Sequence, residues 1–410
     1  MDVTHVDVPF AGTGSGQAEL TWGQRAMYQA MLREHSWMPM GGHRAVAGGT
    51  TVAAVAAELR YTMERYQAFR TRLRPRGEGP PAQVVADAGV ARLDVVEAGG
   101  ADPAEVAVAV ERSYREAEPD LARDWPVRMA VICRGGVPAW LVAIMPHLVT
   151  DGLGAAVMVD EVTRRVAGPV AGLTPLEIVD WQASPAGVRQ HAGALRHWER
   201  HAAGLDAHGP RVVDGPRYRK CVLESPRLAA RLPHAAARTG VDESTVLLAA
   251  YLTAIGRVAG RGTVAARQVV SNRFRSGLSG VVSPITQLGL CAADVSGGFD
   301  AAVAAVARAA LPARKHAYYD PFALDAPPTP CFNDRRSTAA TAFGDAFGTG
   351  RPGTVAWSDP PPGPTEPLFL HVDHVQEQRF RAVRLMLDAD TACFAPDEVE
   401  AIARTIEDLV

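Results

Sequence analysis

Six consecutive apolar residues, 140–145, run between Pro138 and Pro146, and this pattern predicts a strand buried on both faces. At Leu153 the period changes. Leu153, Ala156, Val157, Val159, Val162 and Val166 recur at helical spacing and leave Asp160, Glu161, Arg164 and Arg165 for solvent. Between strand and helix stand His147, Thr150, Asp151 and Gly152, at a place where an imidazole, a carboxylate and free helix N–H groups can converge. A plainer reading has the histidine in a turn and Asp151 as the helix N-cap. With 12 His, 45 acidic residues and 38 Gly in the chain, His-x-x-x-acid-Gly is expected roughly 0.1 times by chance, so spacing alone does not carry the chemistry.

The same pattern reading predicts helices over 22–32 (cap Thr21), over 50–72 (cap Thr51), over 103–116 and over 242–259 (cap Asp242). Residues 1–18 read as irregular and Gly-rich. Strands are predicted at 83–85, 91–96 and 263–270, and a hairpin joins 124–133 to 140–145 through Arg134-Gly-Gly-Val-Pro138. Paired strands at 367–375 and 381–388 and a final helix over 395–410 close the chain.

A chain of 410 residues exceeds one hydrophobic core, so two lobes are expected. The expected division is an N-terminal lobe, 1–175, with the His147 motif, and a C-terminal lobe, 176–410. The latter would start with a helical linker, 176–205, and hold a long Pro/Gly-rich loop, 321–366. With 47% apolar residues and a net charge of −3, nothing points to nucleic acid. No basic leader and no apolar stretch of about 18 residues is present, and a cytoplasmic protein is expected. Cysteines 133, 221, 291, 331 and 393 form no Cys-x-x-Cys pair and read as reduced packing residues, with no metal site. Arg70, Arg72, Arg74 and Arg76, and also Arg335 and Arg336, form local basic runs. Such runs are usually solvated faces; the alternative is a docking surface.

Five segments, in order, resemble the condensation domains of nonribosomal peptide synthetases, within the chloramphenicol-acetyltransferase-like, CoA-dependent acyltransferase superfamily. They are Thr21-Trp-Gly-Gln-Arg-Ala-Met-Tyr; Tyr66-Gln-Ala-Phe-Arg-Thr-Arg; Trp125-Pro-Val-Arg128; Pro146-His-Leu-Val-Thr-Asp-Gly152; and Ser271-Asn-Arg-Phe followed by Gly280 and Pro284-Ile-Thr. The fourth matches the family's His-His-x-x-x-Asp-Gly signature with Pro146 in place of the first histidine. The resemblance implies an α/β fold of two chloramphenicol-acetyltransferase-like lobes in a V, a pseudo-dimer with the active site at the lobe junction. It implies His147 and Gly152 as catalytic residues, Asp151 paired structurally with Arg273, and Pro146, Thr150, Asn272 and Ser283 along a substrate tunnel. Without adenylation or carrier segments of its own, the chain would be a free-standing enzyme. No bound cofactor is implied; the phosphopantetheine arm of a separate acyl or peptidyl carrier protein would bring the acyl thioester to a small amine or alcohol acceptor.

A neutral imidazole suits removal of the acceptor's proton as it attacks the thioester carbonyl, and Gly152 lets its N–H approach the developing oxyanion. A histidine that chiefly positions substrate is the alternative within the family. Two rivals remain at this stage: a coenzyme A-dependent acyltransferase, which would need a basic groove for the nucleotide phosphates, and a catalytically silent condensation-like module that recruits a partner.

Overall fold

The computed structural model describes residues 2–77, 79–202, 211–213, 215–336, 351–358, 366–377 and 380–410. Contacts divide the chain into two units. The first comprises Met1–Arg189, Ser271–Thr286 and Asp320–Phe322, and the second Gln190–Val270, Gln287–Tyr319 and Ala323–Val410. In this division the segment 271–286 groups with the first unit.

In chain order the first unit holds β1 (Asp2–Ala11), β2 (Gly16–Glu19), α1 (Trp22–Glu34), β3 (Pro39–Ala45), α2 (Val52–Arg65), β4 (Thr71–Arg74), β5 (Ala82–Val85), β6 (Ala88–Glu97), α3 (Pro103–Glu116), β7 (Arg128–Arg134), β8 (Val137–Pro146), α4 (Gly152–Arg164) and α5 (Pro175–Ala183). Its main sheet runs β1-β6-β7-β8-β3, and β2-β5-β4 form a smaller one. The β7–β8 hairpin turns at Gly135 and Gly136, both at positive φ (59° and 77°), the conformation that matches a two-residue turn to strand twist. Successive residues of the hairpin serve opposite cores. Met129, Val131, Leu141 and Met145 pack with Val55, Leu59 and Met63 of α2, whereas Ala130, Ile132, Val142 and Ile144 pack with Val106 and Val110 of α3. This is why the apolar run is continuous.

The second unit takes up α6 (Pro185–Ala202) from Gln190 onward and continues with β9 (Tyr218–Ser225), α7 (Pro226–Thr239), α8 (Glu243–Ala259), β10 (Thr263–Val270), β11 (Gln287–Asp294), α9 (Phe299–Lys315), β12 (Cys331–Asp334), β13 (Thr354–Ser358), β14 (Leu368–Glu377), β15 (Phe380–Asp390) and α10 (Pro396–Leu409). Its sheet order is β11-β10-β12-β14-β15-β9-β13. One core joins Val246 to Ile255 of α8 with Leu370, Val372, Leu385 and Leu387 of the sheet and Val399, Ile402 and Ile406 of α10. Asp242 caps α8 through the N–H of Thr245 (2.9 Å). All five cysteines are buried and none forms a disulfide. No described helix is long and apolar enough to cross a membrane.

Four sequence expectations change. Residues 2–11 are not irregular: they form β1, paired along its whole length with β6. The helix expected over 50–72 ends at Arg65, because Tyr66 is extended (φ −111°, ψ 117°), and the chain passes through a single 3-10 turn into β4. Within α4, Glu161 is buried while Leu153 and Val159 are exposed. The Glu161 carboxylate accepts from Arg65 Nε (2.7 Å) and Tyr66 Oη (2.6 Å), partners that helical periodicity cannot reveal. Finally, the stretch 321–366 contributes β12 and β13 to the seven-stranded sheet; residues 337–350 and 359–365 lie outside the described residues.

Candidate active site

The motif sits at the end of β8, where the ladder with β3 runs out. Pro39 stands opposite Pro146, and neither residue has an N–H to give, so regular pairing stops there. The N–H of His147 then donates to the carbonyl of Met38 (3.0 Å), whose left-handed backbone (φ 50°) is held by a bond from its own N–H to Ser36 Oγ (3.0 Å). This arrangement fixes the backbone of His147. Its half-buried imidazole keeps Nδ1 shielded from solvent with no hydrogen-bond partner among the described residues.

Four residues on, Asp151 caps the start of α4. Its Oδ1 accepts from the N–H of Gly154 (2.8 Å) as the helix N-cap, and also from Arg273 Nη2. Its Oδ2 accepts from the N–H of Ile285 (3.1 Å), the N–H of Thr286 (3.2 Å) and Thr286 Oγ1 (2.8 Å). Burial alone would raise this carboxyl's pKa. The charge of Arg273 and the bonds from Gly154, Ile285 and Thr286 outweigh it and hold the pKa below the usual carboxylate value. Asp151 is thus ionised and committed on both oxygens.

Arg273 is held in turn by the carbonyls of Val281 (3.1 Å) and Leu278 (3.4 Å). It follows Asn272, a left-handed residue (φ 58°) whose Nδ2 donates to the Ile285 carbonyl (2.9 Å) and whose Oδ1 accepts from Arg275 Nε (3.1 Å). The segment 271–286 is therefore a self-tied loop closed over the motif. Thr150 is fully buried, with Oγ1 on the Asp151 carbonyl (3.2 Å). Ser283 is also fully buried, and its hydroxyl has no partner among the described residues. Pro146 is buried at the strand end.

The glycines of the site differ in kind. A Cβ on Gly154 would meet Thr150 Oγ1 at 2.4 Å, and one on Gly23, in the Thr-Trp-Gly-Gln motif, would meet the Pro284 carbonyl oxygen at 1.9 Å. That contact explains the first motif: α1 starts with Thr21 and Gln24 in a reciprocal capping box and presses its bare second residue onto the 284–286 backbone. Gly152, by contrast, is exposed, and a Cβ there would meet nothing within 4 Å. As the first residue of α4, its N–H points along the helix start and meets no backbone acceptor among the described residues.

Sequence reading did not assign roles to Gly154, Ile285 and Thr286. The signal was the Pro284-Ile-Thr motif itself, whose side chains looked unremarkable because two of its three bonds to Asp151 come from the backbone. The basic runs resolve unevenly. Arg70 is 1% exposed and gives its guanidinium to the carbonyls of Ala86 and Thr13. Arg72 stacks 3.6 Å over Trp125. Arg336, with 6% of its side chain exposed, pairs with Asp334 and Glu243. Only Arg74, Arg76 and Arg335 remain at the surface, so neither run is a continuous basic patch.

The sequence profile of the condensation domain family matches residues 15–322, and the chain belongs to that family. Cyclosporin synthetase simA from Tolypocladium inflatum is 25% identical over an alignment of 333 residues that covers 76% of this chain and 2% of that much longer protein. Among solved structures, one concerned with condensation domain-mediated chain release from the enacyloxin polyketide synthase aligns with a TM-score of 0.73 at 16% identity, covering 97% of this chain and 83% of that one. The X-domain solved in complex with OxyB from teicoplanin biosynthesis aligns at 0.70 and 20% identity, over 97% and 94%. These likenesses give the fold: the mixed α/β, chloramphenicol-acetyltransferase-like fold of condensation domains.

Proposed function

We propose that this chain transfers an acyl group, held as a thioester on the phosphopantetheine arm of a carrier protein, to the amine or hydroxyl of a small acceptor. The acceptor nitrogen or oxygen bonds to the thioester carbonyl carbon, its proton passes to His147, and as the carbon–sulfur bond breaks that proton passes on to the departing sulfur, which leaves as the carrier thiol. The Gly152 N–H, at the positive end of α4, stabilises the oxyanion formed on the way. The observation that carries this reading is the contrast between the two titratable motif side chains. Asp151 is spent on five donors, while His147 has its backbone pinned and its ring unengaged at Nδ1. Pro146, Thr150, Asn272 and Ser283 would shape the tunnel wall beside them. Exposed Arg74, Arg76 and Arg335 would aid encounter with an acidic carrier.

Pro146, standing where the family signature has a histidine, favours a second reading in which the domain is catalytically silent and recruits a partner. Acyl transfer from a loaded carrier protein, followed by intact-protein mass spectrometry, separates the two. Turnover that exceeds transfer from a small soluble thioester of the same acyl group supports the first. Binding of the carrier without turnover, unchanged by Pro146→His, supports the second, and equal use of a coenzyme A thioester would favour the nucleotide-dependent rival.

A further inference from the structure

The second unit contains a cavity of about 640 Å³ between α6 and α9, over the edge strand β11, and nothing in the acyl-transfer chemistry uses it. Its lining is strongly basic: Arg196, His197, Arg200 and His201 from α6, Arg308 from α9, and His316 at the C-cap of α9. Spacing of four residues aligns Arg196 with Arg200, His197 with His201, and Arg308, through Pro312, with His316, so each helix presents its basic residues as a row along one face.

The charge in this cavity lacks internal compensation. Elsewhere in the second unit arginines meet carboxylates, as Arg217 meets Asp390 (2.8 Å) and Arg335 meets Asp373 (2.6 Å). Among the described residues no ion pair forms at Arg196, Arg200 or Arg308. The acidic residue of the lining, Asp294, accepts at Oδ1 from the N–H (2.9 Å) and the hydroxyl (2.7 Å) of Ser296. The imidazoles are ordered rather than loose. His197 Nε2 donates to the Leu290 carbonyl (2.9 Å), His201 Nδ1 donates to the His197 carbonyl (2.8 Å), and His197 lies between the rings of His201 (4.3 Å) and His316 (5.1 Å). Burial first, then the neighbouring His201 and Arg200, push His197 below its ordinary pKa.

We propose that this cavity binds a small molecule bearing phosphoryl groups. Three guanidinium forks at one mouth match phosphate oxygens. The apolar wall of Leu290, Ala305, Ala309 and Pro312 suits the organic part of such a molecule. The volume falls in the range of about 300–1,000 Å³ typical of small-ligand sites, which sets this site apart from a flat protein-docking face.

Titration calorimetry with ADP, pyrophosphate and adenosine on the whole chain tests this. Saturable binding of ADP or pyrophosphate is expected, with adenosine at least about tenfold weaker; the ADP and pyrophosphate arms distinguish an organic from an inorganic phosphate. Arg200→Glu combined with Arg308→Glu should raise the dissociation constant at least about tenfold. Arg123→Glu, an equally exposed change in the first unit, should leave it unaltered. On the unmutated protein, ADP should slow phenylglyoxal modification of Arg200 and Arg308, read by mass spectrometry, and leave Arg123 unprotected, so the result does not depend on how the variants fold. No saturable binding of either phosphate up to about 10 mM, or equal loss in the Arg123 variant, overturns the proposal.

Discussion

Arg273 donates through Nη2 to Asp151 Oδ1 across 122 residues of sequence, with only 10% and 4% of the two side chains exposed. This buried pair fastens the 271–286 loop to the start of α4. Removing one partner strands the other's charge, at a cost of about 3–5 kcal/mol. Asp151→Ala should therefore lower the unfolding midpoint strongly, and Asp151→Ala with Arg273→Met should recover part of that loss. Simple addition of the two single effects in a double-mutant cycle would show that the pair is not coupled.

The same carboxylate gives the stability a pH signature. Its folded pKa is depressed, so the unfolded state binds the proton more readily. The stabilisation it provides is full above the unfolded value of about 3.9 and is lost as pH falls from there through the lower folded value. Denaturant midpoints measured between pH 6 and 2 should show a steeper acid loss for the native sequence than for Asp151→Asn. Parallel curves would contradict this.

His371 supplies a second window at higher pH. Burial first, then Arg335, push its pKa down to about 3, so it is neutral in the fold, and its 3.7 Å approach to Asp388 is not an ion pair at neutral pH. Because the unfolded ring titrates near 6.5, this group costs stability as pH falls from about 6.5 to about 3, with a slope approaching about 1.4 kcal/mol per pH unit. Replacing it in His371→Gln should flatten stability across that window, as read by urea midpoints at each pH.

The two motif glycines should respond oppositely to the same substitution. Gly23→Ala places a Cβ 1.9 Å from the Pro284 oxygen and should destabilise by several kcal/mol, about the scale of a severe core overpacking. Gly152→Ala meets nothing within 4 Å, and alanine is the better helix former by up to about 1 kcal/mol. Its melting temperature should hold or rise while acyl transfer falls, because the added methyl obstructs the N–H from the substrate side. An equally stable Gly23→Ala would mean that α1 does not press on the 284–286 backbone.

Much of this architecture was legible in local signals. The cap at Thr21, the Gly-Gly turn and the change from an unbroken apolar run to helical spacing at Leu153 each depend on a few neighbouring residues, and each marks an element found in the fold. What escaped was long-range or backbone-borne. β1 is an edge strand whose first four residues are exposed, so polar residues at 2, 4, 5 and 7 hid its alternation. Glu161 read as a solvent residue because its partners lie 95 and 96 positions away. Arg70 read as part of a charged surface because carbonyl oxygens, which every residue possesses, are what bury it. In the site, the residue types His147, Asp151 and Gly152 were visible, whereas the amide donors of Ile285 and Thr286 that fix Asp151 carry no side-chain signature.

The role of His147 is decided by one comparison: acyl release from a loaded carrier protein to an amine or alcohol acceptor by the native chain and by His147→Ala, at equal folded concentration. The half-buried ring has no bond at Nδ1 to lose, so melting temperature should be unchanged. The single-turnover rate should fall by about two to four orders of magnitude, the contribution of a general base. A His147→Ala protein that transfers the acyl group at the native rate would show that the imidazole takes no proton in this reaction.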